Sequence, residues 1–165
     1  MAVLPIRKFP DPALKEKILP VERIDEEIHK LIKNMADTMY AAPGVGLAAN
    51  QVGVLKRVMV VDVDEELMAF INPEITWYSE ETEDGDEGCL SVSPDIHVVV
   101  PRSVKVRFKA LNENGETVEF EADGFFARAL QHETDHLNGI IILDRTSPEE
   151  RKRALKELAS KRPLV

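Results

Sequence analysis

Residues 131–136 read QHETDH. His132 and His136 are four apart, so on a helix they share a face and can reach one ion. Glu133 is turned about a third of a revolution from His132, near such an ion without having to bind it. This H-E-x-x-H spacing suits a hydrolysis in which the histidines hold a metal and the glutamate moves the proton of a water. A catalytic site of this kind needs a third protein ligand. One common pattern would put a histidine at residue 142, which here is Ile142. Another takes a glutamate from a downstream helix, where Glu149, Glu150 and Glu157 are candidates, although they read as an exposed face. Cys89, in EGCLS, is the stronger candidate, because a thiolate suits iron or zinc. Taken alone, a single cysteine is as readily a small core residue.

A third stretch, GVGLAANQ (residues 44–51), is rich in small residues. Its glycines permit close approach of another chain, and Ala48 and Ala49 keep the wall low. The Gln51 amide can donate to an oxyanion. The stretch lacks the G-K-[ST] ending and G-x-G-x-x-G spacing of phosphate-binding loops.

These residues need elements to hold them. Ile24, Ile28, Leu31, Ile32, Met35 and Met39 recur at helical spacing, which predicts a helix from about Asp25 to Ala41. RVMVVDV, MAFINP, EITWYSE, HVVVP, VKVRFKAL and TVEFEA read as strands, with NENG a turn before the last. The acidic EETEDGDEG reads as a solvated loop. From Gly124 the period becomes helical through FFARALQHETDHLNG, with Phe126, Ala129, Leu130 and Leu137 facing a core and Gly139 as the stop. Asp135 either supports a metal-ligating residue from behind or faces solvent, and the solvent position is the one expected. Ser147-Pro148-Glu149-Glu150 starts a last helix that runs to about Ser160. Strands and helices fall in separate runs. The expectation is an α+β single domain, mainly antiparallel sheet packed around a central helix carrying the HExxH-type motif, with an N-terminal helix and a short C-terminal helix. The domain spans 1–165, with 147–165 a basic helix or tail.

The chain has 165 residues, 44% hydrophobic and 31% charged, and a formal net charge of −9. That is ordinary for a globular domain and argues against general nucleic-acid binding. No apolar run reaches membrane-spanning length, and the N-terminus lacks the apolar core of a signal peptide. With one cysteine, Cys89, the composition suits a reducing cytoplasm.

GVGLAANQ, EGCLS and QHETDH, in that order, resemble the three signature motifs of bacterial peptide deformylases. VPR at 100–102 and EADG at 121–124 also resemble family sequence. The resemblance implies that Cys89, His132 and His136 bind one divalent metal, ferrous iron in the cell, with zinc, nickel or cobalt as substitutes. It implies a water in the fourth position, Glu133 as general base and acid, and Gln51 with the backbone N–H of Leu90 as the oxyanion hole. Gly46 and Val45 would meet the substrate backbone, and Phe125 and Ala129 would rim the methionine pocket. The implied substrate is the N-formylmethionyl end of a newly made protein, released as formate and a free amine. No membrane or specific DNA is implied. Arg151, Lys152, Arg153, Lys156, Lys161 and Arg162 read first as a solvated helix face, with a transient ribosome contact as the functional alternative.

The sequence departs from the family pattern in two places. The segment after Ser91 is about one residue longer than usual, and an arginine often found before VPR is missing, with His97 nearby. Arg128 stands where family members often carry an apolar residue; it either rims the methionine pocket with Phe125 and Ala129 or points to solvent, and the solvent position is the one expected. Two other readings of the same residues are a zinc peptidase and a metal-stabilised binding module with a closed Cys-His-His site.

Overall fold

The structure is a computed structural model that describes residues 2–161; Arg162 of the basic cluster lies outside the described residues. A helix α1 (Glu26–Ala41) comes first, with the Asp25 side chain accepting from the Ile28 N–H at its start. This removes one of the unpaired donors of the first turn. Five strands then build one antiparallel sheet: β1 (Gly46–Ala48), β2 (Val58–Val63), β3 (Glu66–Tyr78), β6 (Lys105–Leu111) and β7 (Thr117–Asp123), in that spatial order. A second sheet pairs β4 (Thr82–Cys89) with β5 (Ser93–Ser103). The chain closes with α2 (Gly124–Leu137), a single turn α3 (Ile142–Arg145) and α4 (Pro148–Lys161).

β2 explains how the layers stack. Its apolar run covers both faces of the sheet because both are covered in turn. Val58 and Val60 pack with Ile28, Ile32, Met35 and Met39 of α1. Met59 and Val61 pack with Leu130 and Leu137 of α2, together with Phe70 and Phe108. α2 therefore lies centrally, between the five-stranded sheet and the β4–β5 hairpin. The same inward face of the hairpin also carries a third core beside α2, in which Ile96, Val98 and Val100 meet Ile141, Leu143, Ala154 and Leu158. The expected α+β architecture is the one observed, and α4, at 14 residues, is as long as α2.

Two expectations for the strands are corrected. MAFINP and EITWYSE are one strand, β3, because Pro73 falls at a register shift between Ile71 and Glu74 where no ladder donor is required. Asn72 has a φ of 52° there, and its side chain bonds both the N–H and the C=O of Val21. The acidic EETEDGDEG is not a loop. Thr82–Cys89 is strand, paired residue by residue with β5 from Thr82↔Ser103 to Glu87↔Val98. GVGLAANQVG resolves into β1 followed by one 3-10 turn, Ala49–Val52.

Candidate metal centre

α2 carries His132 and His136 on one face, with ring centroids 5.0 Å apart. β4 delivers Cys89 at its last residue, and Cys89 Sγ lies 3.2 Å from His136 Nε2. One ligand atom from each of Cys89, His132 and His136 falls within 4.8 Å of the others. EGCLS and QHETDH thus meet, although Cys89 and His132 are 43 positions apart in the chain. Glu150 and Glu157 are not part of this group; both pair with Arg153 on the surface of α4.

The electrostatics suit a cation. Burial alone would raise the Cys89 thiol, but the imidazoles of His136 and His132 hold it well below the ordinary thiol range. Burial alone would lower His132, but Glu133, Cys89 and Glu87 together raise it. A pocket that draws a proton onto an imidazole in this way also attracts a metal ion. Glu133 Oε1, buried beside this cluster, has no hydrogen-bond partner among the described residues. A thiolate and two imidazoles are a donor set for iron or zinc, so the residues present fit a divalent ion.

Glu133 is 4% exposed, and its Oε2 lies 3.9 Å from His132 Nε2. Burial pushes its carboxyl up, against the pull of His132 and His136. Gly46 makes room for it: a Cβ there would lie 2.5 Å from Glu133 Oε2. Gln51 is buried, with Oε1 accepting from Ala48 N at 2.9 Å and Nε2 3.1 Å from Ser91 Oγ and 3.9 Å from Cys89 Sγ. The first bond fixes which way the amide points. The N-terminal segment ties both loops together: Arg7 N donates to Gln51 O, Phe9 N to Ser91 O and Lys8 Nζ to Leu90 O.

A cavity of about 330 Å³ opens over these groups. Gln51, Cys89, Leu90, His132 and Glu133 line it, and so do Val45, Gly46, Phe125 and Ala129. Phe125 and Val45 are exposed at its mouth, whereas Ala129 is buried. His97 also lines the cavity, and a Cβ on Gly88 would touch its ring at 2.9 Å.

Behind His132 sits a set of charges that the sequence reading missed or misplaced. Glu87 Oε1 is 2.9 Å from His132 Nδ1, which leaves Nε2 for a metal. Arg102 grips both oxygens of Glu87 at 2.9 Å, and its Nη1 reaches Asp135 Oδ2 at 2.5 Å. Asp135 is not solvent-facing as expected: it is 6% exposed and also paired with Arg145 at 2.9 and 3.0 Å. Arg128 does not point to solvent either. It bonds Glu87 Oε2 at 2.5 Å, Val100 O at 2.9 Å and Glu83 O at 2.7 Å. Burial alone would raise Glu87, but the hydrogen bonds and charges of His132 and Arg102 hold it well below the usual carboxylate range.

A helix-borne histidine pair, a thiolate and a buried carboxylate under an open cavity belong to the class of metal-dependent hydrolases. Comparison with known proteins gives the family. Residues 3–152 match the polypeptide deformylase family, and the chain belongs to it. It is 51% identical to peptide deformylase 1 of Ralstonia nicotianae over 156 residues, 93% of this chain and 92% of that one. The crystal structure of a peptide deformylase from Legionella pneumophila superposes with a TM-score of 0.90 at 40% identity, covering 96% of this chain and 95% of the other. A class I type b peptide deformylase from Acinetobacter baumannii, solved with Met-Ala-Ser bound, gives a TM-score of 0.83 at 39% identity, covering 87% and 98%.

Proposed function

We propose that this chain hydrolyses the formyl group from the N-terminal formylmethionine of newly made proteins, with Cys89, His132 and His136 holding the metal and Glu133 moving the proton. The observation that carries this reading is the Cys89–His132–His136 cluster with Glu133 beside it, opening into a cavity. The Acinetobacter baumannii neighbour with Met-Ala-Ser bound supports a peptide of that kind as the product. Family membership leaves no ground for the zinc-peptidase reading, and the open cavity argues against a closed structural site.

A divalent ion in this site supplies Lewis acidity, which can lower the pKa of a water from ~15.7 to about 7. Glu133 accepts the proton as the water attacks the formyl carbon, then delivers it to the leaving nitrogen. The C–N bond breaks, and formate and a free amine result. Such proton transfer is often worth roughly 10²–10⁴ in rate. The Gln51 amide and the Leu90 N–H donate to the formyl oxygen as it gains charge, each worth ~2.7–4 kcal/mol in comparable sites. Gly46, having no side chain, lets the peptide backbone pass beside Glu133, with Val45 next to it. Phe125 and Ala129 seat the first side chain.

We assign ferrous iron as the ion in the cell, with zinc, nickel or cobalt as substitutes, because the thiolate of Cys89 suits each of these metals. Among the described residues no helix is long and apolar enough to cross a membrane, and the single cysteine supports a cytoplasmic setting. A transient ribosome contact falls to Lys152 and Lys156 on exposed positions of α4, since Arg151, Arg153 and Lys161 are already in ion pairs.

The test is formate release from formyl-Met-Ala-Ser by anaerobically prepared protein. Acetyl-Met-Ala-Ser should release little or no acetate, because a methyl must fit beside Glu133 and the carbonyl is less electrophilic. Glu133→Ala should retain about one metal per chain and lose nearly all activity. Equal rates on the two acyl peptides, or wild-type activity in Glu133→Ala, would sink the assignment.

A further inference from the structure

Arg128 links the cavity to the charges behind His132. Phe125, Arg128, Ala129 and His132 are spaced along one face of α2, and all four line the cavity. The guanidinium is held flat over β4: a Cβ on Gly85 would lie 2.9 Å from Arg128 Cζ and 3.1–3.2 Å from Nη2 and Nε. Its bonds to Glu87, Val100 and Glu83 take two N–H from Nη1 and one from Nη2. A guanidinium has more donors than that. The Nε–H and the second Nη2–H meet no acceptor among the described residues.

The ion-pair chain that ends at Arg128 is also unbalanced, although Asp86 lines the same cavity. Arg128, Glu87, Arg102, Asp135 and Arg145 form an alternating chain from the cavity to the surface, with three cations and two carboxylates. Arg102 already grips both oxygens of Glu87, so the surplus positive charge sits at the two ends. Arg145, its side chain 44% exposed, is solvated at one end. Arg128, its side chain 15% exposed, meets the cavity at the other. It cannot shed its proton to relieve that position.

We propose that Arg128 gives the pocket for the first side chain a hydrogen-bonding wall, so that this chain accepts unbranched first residues ending in an oxygen acceptor. Methionine sulfoxide and glutamine are of this class; norleucine is the hydrocarbon of matching length. The inference rests on the reading above, in which the first side chain lies against Phe125 and Ala129. An acceptor oxygen satisfies a donor of Arg128 that a hydrocarbon leaves unpaired and stripped of water. A hydrogen bond to a charged group of this kind changes kcat/KM by roughly tenfold or more.

The experiment measures kcat/KM for formate release from formyl-Gln-Ala-Ser, formyl-Met(sulfoxide)-Ala-Ser and formyl-norleucine-Ala-Ser. Arg128→Met should lower the glutamine-to-norleucine and sulfoxide-to-norleucine ratios by roughly tenfold or more. Gly85→Ala keeps the charge but pushes the guanidinium off its seat, and should lower both ratios in the same direction. Using ratios removes any effect that Arg128 exerts on all substrates through Glu87 and His132. Ratios unchanged in both variants, or equal losses on all three peptides, would overturn the proposal. Absence of formate even from formyl-Met-Ala-Ser with wild-type protein would instead remove the deformylase reading, and this inference with it.

Discussion

Arg102 and Arg153 each hold two carboxylates, with N–O distances between 2.5 and 2.9 Å. Arg102 and its partners Glu87 and Asp135 are each 6% exposed. Arg153 and its partners Glu150 and Glu157 stand on the outer face of α4, with side chains 28–43% exposed. The buried set orients a histidine of the candidate metal centre, whereas the surface set meets only exposed backbone of β5, at His97 O and Val99 N. Bond geometry is nearly the same in both, so the difference lies in solvent. In the interior each charge has lost its water and depends on its partner; on the surface water replaces a lost partner at little cost.

The comparison can be broken most directly at Arg102. Arg102→Met leaves Glu87 and Asp135 with fewer compensating charges in the interior, and should destabilise the fold by about 3–5 kcal/mol in urea titration. Adding Glu87→Gln to that variant should restore part of the loss, because one uncompensated charge is removed. A single variant as stable as wild type would show that the buried set is not under this constraint.

Glu87→Gln alone keeps one acceptor oxygen for Arg102, which is also held by Asp135, but it removes the charge and weakens the acceptor at His132 Nδ1. Metal affinity should fall by roughly 10–100-fold, read by competition with a chelator. Unchanged affinity would mean that Glu87 serves the fold and not the ligand.

Lys15 and Asp144 form an intermediate case, a pair between the N-terminal segment and α3 with side chains 47% and 31% exposed. Burial alone would raise Asp144, but the Ile141 N–H, Lys15 and Arg151 lower it below its ordinary value. A depressed carboxylate contributes stability that is present above its unfolded pKa and lost as pH falls through the folded one. Lys15→Met should therefore cost under about 1 kcal/mol at pH 7, and the gap to wild type should close in strong acid. A gap that persists in strong acid would point to packing by the lysine stem instead.

The smallest effect is expected at Arg153. Arg153→Ala should leave the urea midpoint and formate release unchanged within error, and raising salt should change neither the variant nor the wild type. A clear loss of stability would mean that the bond from Arg153 Nη2 to His97 O, 2.7 Å, anchors α4 on β5.

How much of this was legible in the sequence depends on the range of the interactions. The H-E-x-x-H pair, the stripe of α1 and the end of α2 at Gly139, where φ is +75°, follow from local spacing. A helix repeats every 3.6 residues whatever surrounds it. β4 was hidden because its composition is acidic. Its alternation is real, with Glu87 and Cys89 inward and Asp84 and Asp86 outward. Yet an inward glutamate is unreadable until its arginine, 15 residues on in the next strand, is known.

The sequence by itself determined which residues could hold a metal and move a proton, and which helix would present two of them. The tertiary structure alone decided that Cys89 Sγ comes within 3.2 Å of His136 Nε2. It alone decided that Gly46 clears the space beside Glu133, and that Asp135 and Arg128 turn inward. A charged side chain carries no mark of its destination: its free energy is set by how much water it loses and which charge it meets, and both come from chain brought close only by folding.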